Sequence, residues 1–231
     1  MNDLVHGASF TSHLANPIAD VAGELALSLY AVPPPLRTAI ALRAMQEGLW
    51  IHVDIMRDSL GRDRGVDLAT LREITDSGQY RVDVHLIGDV ATAAFDEVCA
   101  LGCTRVTVAS ECCTDIAGMS AAAHGSGVQL WIAIAPPTDV EDLLPMVSVV
   151  DGVLVMLLKP GTHEPADLSL LSKARILASL LPVGVDGSVG VSNVNACLEA
   201  GARYIVSGRG LIQPNMSLLK VLTPLQSKGK R

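Results

Sequence analysis

Trp50-Ile51-His52-Val53-Asp54-Ile55-Met56 and Arg81-Val82-Asp83-Val84-His85-Leu86-Ile87, separated by a helix-length segment at 67–77, form the stretch that decides the fold. Each run is short, rich in Val and Ile, and bounded by turn-forming residues, which reads as a strand. A strand, a helix and a second strand in succession make a βαβ unit, and its crossover leaves the two strands parallel. The same alternation extends in both directions along the chain. Strands are expected at 25–29, 50–55, 81–86, 105–109, 128–134, 153–157, 183–185 and 204–207. Helical segments are expected at 34–47, 67–77, 90–101, 114–124, 140–146, 167–180 and 194–200, with a last helix near 216–225. Eight strands alternating with helices predict a closed TIM (β/α)8 barrel over residues 21–231, preceded by an arm or extra helix at 1–20. A doubly wound open sheet is the competing fold. It would carry a Gly-rich dinucleotide turn after the first strand, where this chain has Ala31-Val32-Pro33-Pro34-Pro35.

Composition agrees with buried parallel strands. Of 231 residues, 49% are hydrophobic but only 3% are aromatic, so the apolar mass is aliphatic. Mean hydropathy is +0.39, yet the strongest apolar run, 152–158, is closed at once by Lys159 and Pro160. That is far short of the ~20 residues a spanning helix needs. With no basic-then-apolar start, a soluble cytoplasmic protein is expected. A net charge of −7 and only seven aromatic residues argue against a nucleic-acid partner. The five cysteines are odd in number and form no CxxC pair, so they read as reduced thiols.

In a barrel the chemistry sits at the C-terminal ends of the strands. Alternation puts His52, Asp54 and Met56 on one face of the second strand, and Asp83, His85 and Ile87 on one face of the third. The seventh strand ends in Val185-Asp186-Gly187-Ser188. A lone strand histidine is ordinarily a hydrogen-bonded structural residue, and Asp83 is most simply a structural carboxylate. H-x-D and D-x-H on consecutive strands, with a further Asp at a strand end, are hard to explain by packing. Imidazoles and carboxylates converging there suit zinc, iron, manganese or cobalt.

These motifs resemble the strand motifs of ribulose-phosphate 3-epimerases and their ketose-phosphate relatives. Leu27-Ser28-Leu29, Ile134-Ala135-Pro136, Val155-Met156 with Pro160-Gly161, and Val206-Ser207-Gly208 follow in the same order, so the likeness runs from about Glu24 to Leu211. It implies a divalent ion held by His52, Asp54, His85 and Asp186. It also implies that Asp54 and Asp186 exchange the C3 proton of a ketose phosphate on opposite faces, through an enediolate. The default substrate is D-ribulose 5-phosphate, giving D-xylulose 5-phosphate. Ser28, Met56, Met156, Gly161, Gly187, Ser188, Ser207, Gly208 and Arg209 would meet the substrate, and a homo-oligomer is expected by the same likeness.

The pattern also breaks in places. Arg57 to Gly65 is a charged loop where the family is apolar. Gly161-Thr162-His163-Glu164 replaces a Gly-Phe-Gly-Gly phosphate cradle, and Gly187-Ser188 replaces Gly-Gly. Ala135 stands for Asn, Ile87 for Met, and Ala109 for His, while Glu111 is retained. Arg209 offers a charged fork in place of lost backbone donors. Two further readings stay open: a Schiff-base aldolase using Lys159, and a barrel that binds a sugar phosphate without turning it over.

Overall fold

The computed structural model describes residues 23–56, 64–78, 81–88 and 90–212. The expected arm at 1–20, most of the charged loop (57–63) and the helix near 216–225 lie outside the described residues. Eight parallel strands close on themselves in chain order. They are β1 (Glu24–Ser28), β2 (Trp50–Met56), β3 (Val82–Ile87), β4 (Arg105–Ala109), β5 (Gln129–Ile134), β6 (Gly152–Met156), β7 (Val183–Asp186) and β8 (Tyr204–Ser207). Among the described residues six α-helices stand between them: α1 (Arg37–Gln46), α2 (Leu68–Thr75), α3 (Val90–Ala100), α4 (Ile116–Gly125), α5 (Leu171–Leu177) and α6 (Val194–Glu199). The (β/α)8 barrel is thus the architecture, and the open-sheet alternative falls because β8 pairs with β1.

Local chemistry sets several helix starts. Asp67 caps α2 by accepting from the Thr70 backbone N–H at 2.8 Å, and Asp115 caps α4 through Gly118 at 2.9 Å. One helical expectation fails. The segment expected at 140–146 has only a 3-10 turn, Val140–Leu143. Pro145 follows closely, and its missing N–H and bulky ring would break an α-helical ladder at the Glu141 carbonyl.

Alternation along the strands divides the apolar residues into two cores. Outward positions such as Ile51, Val53, Val84, Val106, Ile132 and Val155 pack with the helices. Inward positions form a second cluster of Ala26, Trp50, Trp131, Ala133, Leu154, Met156, Tyr204 and Val206. Large rings fit inside only because glycines face them. A Cβ on Gly152 would stand 2.3 Å from the Trp131 ring, and one on Gly184 would stand 2.8 Å from the Tyr204 ring. The aromatic floor fills the N-terminal half of the barrel, so the remaining inward positions, at the C-terminal end, are free to carry polar groups.

All five cysteines are unpaired. No helix among the described residues is long and apolar enough to cross a membrane.

Candidate metal centre and active site

Strand register assembles the centre. β2 and β3 pair with His52 beside Asp83 and Asp54 beside His85. β1 brings Ser28 beside His52, and β6 brings Met156 beside Asp186. Every one of these positions faces inward, so side chains from five strands converge near the C-terminal mouth. The expected quartet of His52, Asp54, His85 and Asp186 comes together, with one ligand atom of each within 4.8 Å of all the others. His52 Nε2 lies 3.2 Å from Asp54 Oδ1 and 3.8 Å from Asp186 Oδ2, and His85 Nδ1 lies 3.5 Å from Asp54 Oδ1.

The quartet fits a divalent cation on two grounds. Ligands at about 2.0–2.2 Å from one ion stand no more than about 4.4 Å apart, so these donors close on an ion with a shift of a few tenths of an ångström. His85 Nδ1 is also buried without a hydrogen-bond partner, an orphaned donor site that a cation would satisfy. Two imidazoles and two carboxylates are the ligand chemistry of zinc, iron, manganese or cobalt.

Asp83 has a different place from the ligands. It is completely buried, and its Oδ2 accepts from His52 Nδ1 at 3.0 Å while its Oδ1 accepts from Thr107 Oγ1 at 2.8 Å. A hydrogen bond on Nδ1 fixes the ring's tautomer and leaves Nε2 able to face a cation among the four. Ser28 Oγ donates to Asp54 Oδ2 at 3.1 Å and steadies the other side of that carboxylate.

The electrostatics separate the two carboxylates. Burial disfavours charge on both. At Asp54 the adjacent His52 and His85 outweigh it and hold the carboxyl well below the usual range. At Asp186 burial prevails against His52 and, with the charge of Asp54 beside it, pushes the carboxyl up to about 6. Burial opposes charging His52 too, but Asp54 and Asp83 together hold its pKa well above the ordinary imidazole range.

Above the quartet opens a cavity of about 460 Å³. Ser28, Met56, Met156, Gly161, Gly187, Ser188, Gly208 and Arg209, each expected from the sequence to meet a substrate, line it together with Asp54 and Asp186. Ser207 does not reach the cavity. It points outward on β8, and its hydroxyl donates to the Val189 carbonyl at 2.6 Å. Lys159 is exposed and absent from the lining, so the aldolase reading has no amine at the site.

Three features escaped the sequence. Thr107 was detectable in principle, since Arg105-x-Thr107 is an inward polar alternation. Tyr30 and His163, whose rings stack at 6.4 Å across the mouth, come from loops with no periodic signal. Ser188 takes a left-handed backbone, φ +50°, and its hydroxyl donates to the Glu164 carbonyl at 2.7 Å and accepts from Arg209 Nη2 at 3.2 Å. Three mouth loops are thereby joined at one hydroxyl.

The fold and sequence have known counterparts. A mutant tryptophan synthase alpha-subunit from Pyrococcus furiosus superposes with a TM-score of 0.65 at 17% identity, covering 87% of this chain and 93% of that one. At that identity the likeness concerns the barrel alone. A ribulose-phosphate 3-epimerase from Schizosaccharomyces pombe is 28% identical over 166 residues, 69% of this chain and 73% of the relative. One from Treponema pallidum is 27% identical over 167 residues, 69% and 77% respectively. Residues 25–212 match the family as a whole, so nearly the entire barrel is covered, and the chain belongs to the ribulose-phosphate 3-epimerase family, a family of isomerases.

Proposed function

We propose that the protein is a metal-dependent 3-epimerase of a ketose phosphate, with D-ribulose 5-phosphate the default substrate and D-xylulose 5-phosphate the product. The observation that carries this reading is the closure of His52, Asp54, His85 and Asp186 into one set beneath the cavity. These four residues would hold the ion. When bound, it supplies positive charge to the substrate oxygens as the C3 proton departs.

The chain's own residues do the rest. Of the two carboxyls, Asp186 is the one that more readily holds a proton when the site is empty of metal, and both offer oxygens that can take and return the C3 proton. Both line the cavity, so a ketose C3 seated between them loses a proton to one face and regains it on the other. The planar enediolate between those two events has no memory of configuration, so return from the opposite face inverts C3. Met56 and Met156 line the cavity with polarisable sulfur and exclude water there. Among the described residues, Arg209 and His163 are the basic side chains lining it outside the quartet. Arg209 faces the mouth with Ser188 as its neighbour, where with Gly187 and Gly208 it would grip a terminal phosphate. The same reading includes the 21–231 barrel as a single domain, a cytoplasmic setting and a homo-oligomeric assembly, the last resting on the family likeness.

Proton–deuterium exchange at C3 of ribulose 5-phosphate tests the proposal. Asp54→Asn and Asp186→Asn are each expected to reduce exchange and turnover by at least about 10³-fold while leaving the fold intact, since general acid–base groups contribute about 10²–10⁴-fold. Arg209→Gln is expected to raise KM with kcat little changed. Wild-type protein that exchanges no substrate proton in the presence of zinc, iron, manganese or cobalt would leave only the binding-module reading.

A further inference from the structure

Below the metal-ligand set, the inner face of the barrel carries a charge that the proposed chemistry leaves unused. Arg105 opens β4 and is only 3% exposed. Its guanidinium carbon lies 3.7 Å from the Trp131 ring centroid, 4.4 Å from that of Tyr204 and 4.6 Å from that of Trp50. Three rings therefore surround it and keep water away. Its hydrogen bonds are long: Nε to Gln129 Oε1 and Nη2 to Glu24 Oε2 are both 3.4 Å, and Nη1 is buried with no partner. The Glu24 side chain is 48% exposed, so solvent screens that ion pair. A guanidinium does not give up its proton. Arg105 is thus a permanent, weakly compensated charge in a dry interior, where a field reaches far.

The fully buried carboxylate beside it is Asp83. The two residues are direct partners in the β3–β4 register, and alternation turns both side chains inward. Asp83 has no Lys or Arg within ion-pair distance among the described residues; its hydrogen bonds are to Thr107 and His52, and the buried Tyr204 hydroxyl lies near it as well. Along the described inner strand faces Arg105 is the one Lys or Arg, among the carboxylates of Glu24, Asp54, Asp83 and Asp186. A buried carboxylate is held by the charges and donors around it. Asp83 keeps its hydrogen bond to His52 Nδ1, and the charge of Arg105 on the adjoining strand acts on it as well.

We propose that Arg105 is a positioning residue for the metal centre. Its charge holds Asp83 as the acceptor for His52 Nδ1–H and so keeps His52 Nε2 aimed at the ion. This rests on the metal-centre reading above, although Arg105 itself touches neither ion nor substrate.

The test uses Arg105→Met, which keeps an apolar stem among the rings without charge, and Arg105→Lys, which keeps the charge. Dissociation constants for Zn²⁺ and Mn²⁺ are measured by competition with a chelator, and the His52 Nδ1–H resonance is followed by ¹H–¹⁵N NMR in the metal-free proteins. Arg105→Met is expected to weaken metal binding about tenfold or more, as loss of outer support around a metal ligand does. It is also expected to shift or erase the downfield Nδ1–H signal. Arg105→Lys is expected to retain that signal and to bind metal within about threefold of wild type. A change confined to melting temperature, as a purely packing role gives, overturns the proposal, and so does a folded Arg105→Lys protein as impaired as Arg105→Met. If Arg105→Met does not fold, Arg105→Gln replaces it with the same expectation. Should the wild-type protein take up no divalent metal, the metal-centre reading fails, but the NMR arm still decides the hold on His52. An unchanged signal in the uncharged variant then sinks the inference.

Discussion

Asp83 precedes His85 by two residues on β3, yet its bond is to His52 on β2, the ring opposite it in register. The D-x-H spacing announces an inward carboxylate and an inward imidazole but assigns the carboxylate no partner. Reading the residue as merely structural was reasonable from the sequence and understates it. Removing its charge with Asp83→Asn is expected to weaken divalent-metal binding about 10–100-fold, because the partner that fixes a ligating imidazole is worth roughly that much. A chelator-competition titration checks this, and the loss should equal or exceed that of Arg105→Met, which acts only through Asp83. Ser207 shows the opposite error. The Ser-Gly pair invites a substrate contact, but strand parity turns the hydroxyl away to Val189. The four converging positions, 52, 54, 85 and 186, were legible because their residue types are costly on a buried strand without a chemical use.

At the scale of elements, the eight strands and their order were legible because aliphatic runs bounded by turn residues have few other solutions. The segment at 140–146 was less so. Its composition favours a helix, and the proline behind it limits the ordered turn to Val140–Leu143. What no single strand shows is how the inner faces share volume. Trp131 on β5 occupies the space that Gly152 on β6 leaves, so the two residues behave as one packing unit. Gly152→Ala is expected to lower stability by about 1–3 kcal/mol, the usual cost of overfilling a packed interior. Urea denaturation measures it, with the midpoint moving down and the slope unchanged. A midpoint unchanged from wild type would contradict the ring-into-glycine packing.

Across the whole molecule, barrel closure brings residues 28, 52, 54, 85 and 186 into one site although the chain between them spans most of its length. A centre built from four strands should couple metal binding to global stability. With free ion at about 100 times its dissociation constant, stability should rise by about 2.7 kcal/mol. In a chain of this size that corresponds to a melting-temperature increase of about 5–10 °C, reversed by a chelator. Differential scanning calorimetry checks it, and an unchanged midpoint at saturating ion would argue against a site shared among strands. The sequence by itself determined the alternation of strands and helices, the parallel sheet and which four polar residues would be proposed as ligands, since each follows from local periodicity and residue chemistry. Tertiary structure alone decided which carboxylate orients His52, that Ser207 faces outward and Lys159 lies outside the cavity, and that Arg105 stands caged among three rings beneath the centre. Those facts depend on register and on which strands meet across a closed barrel, and the energies that fix them belong to contacts between residues far apart in the chain.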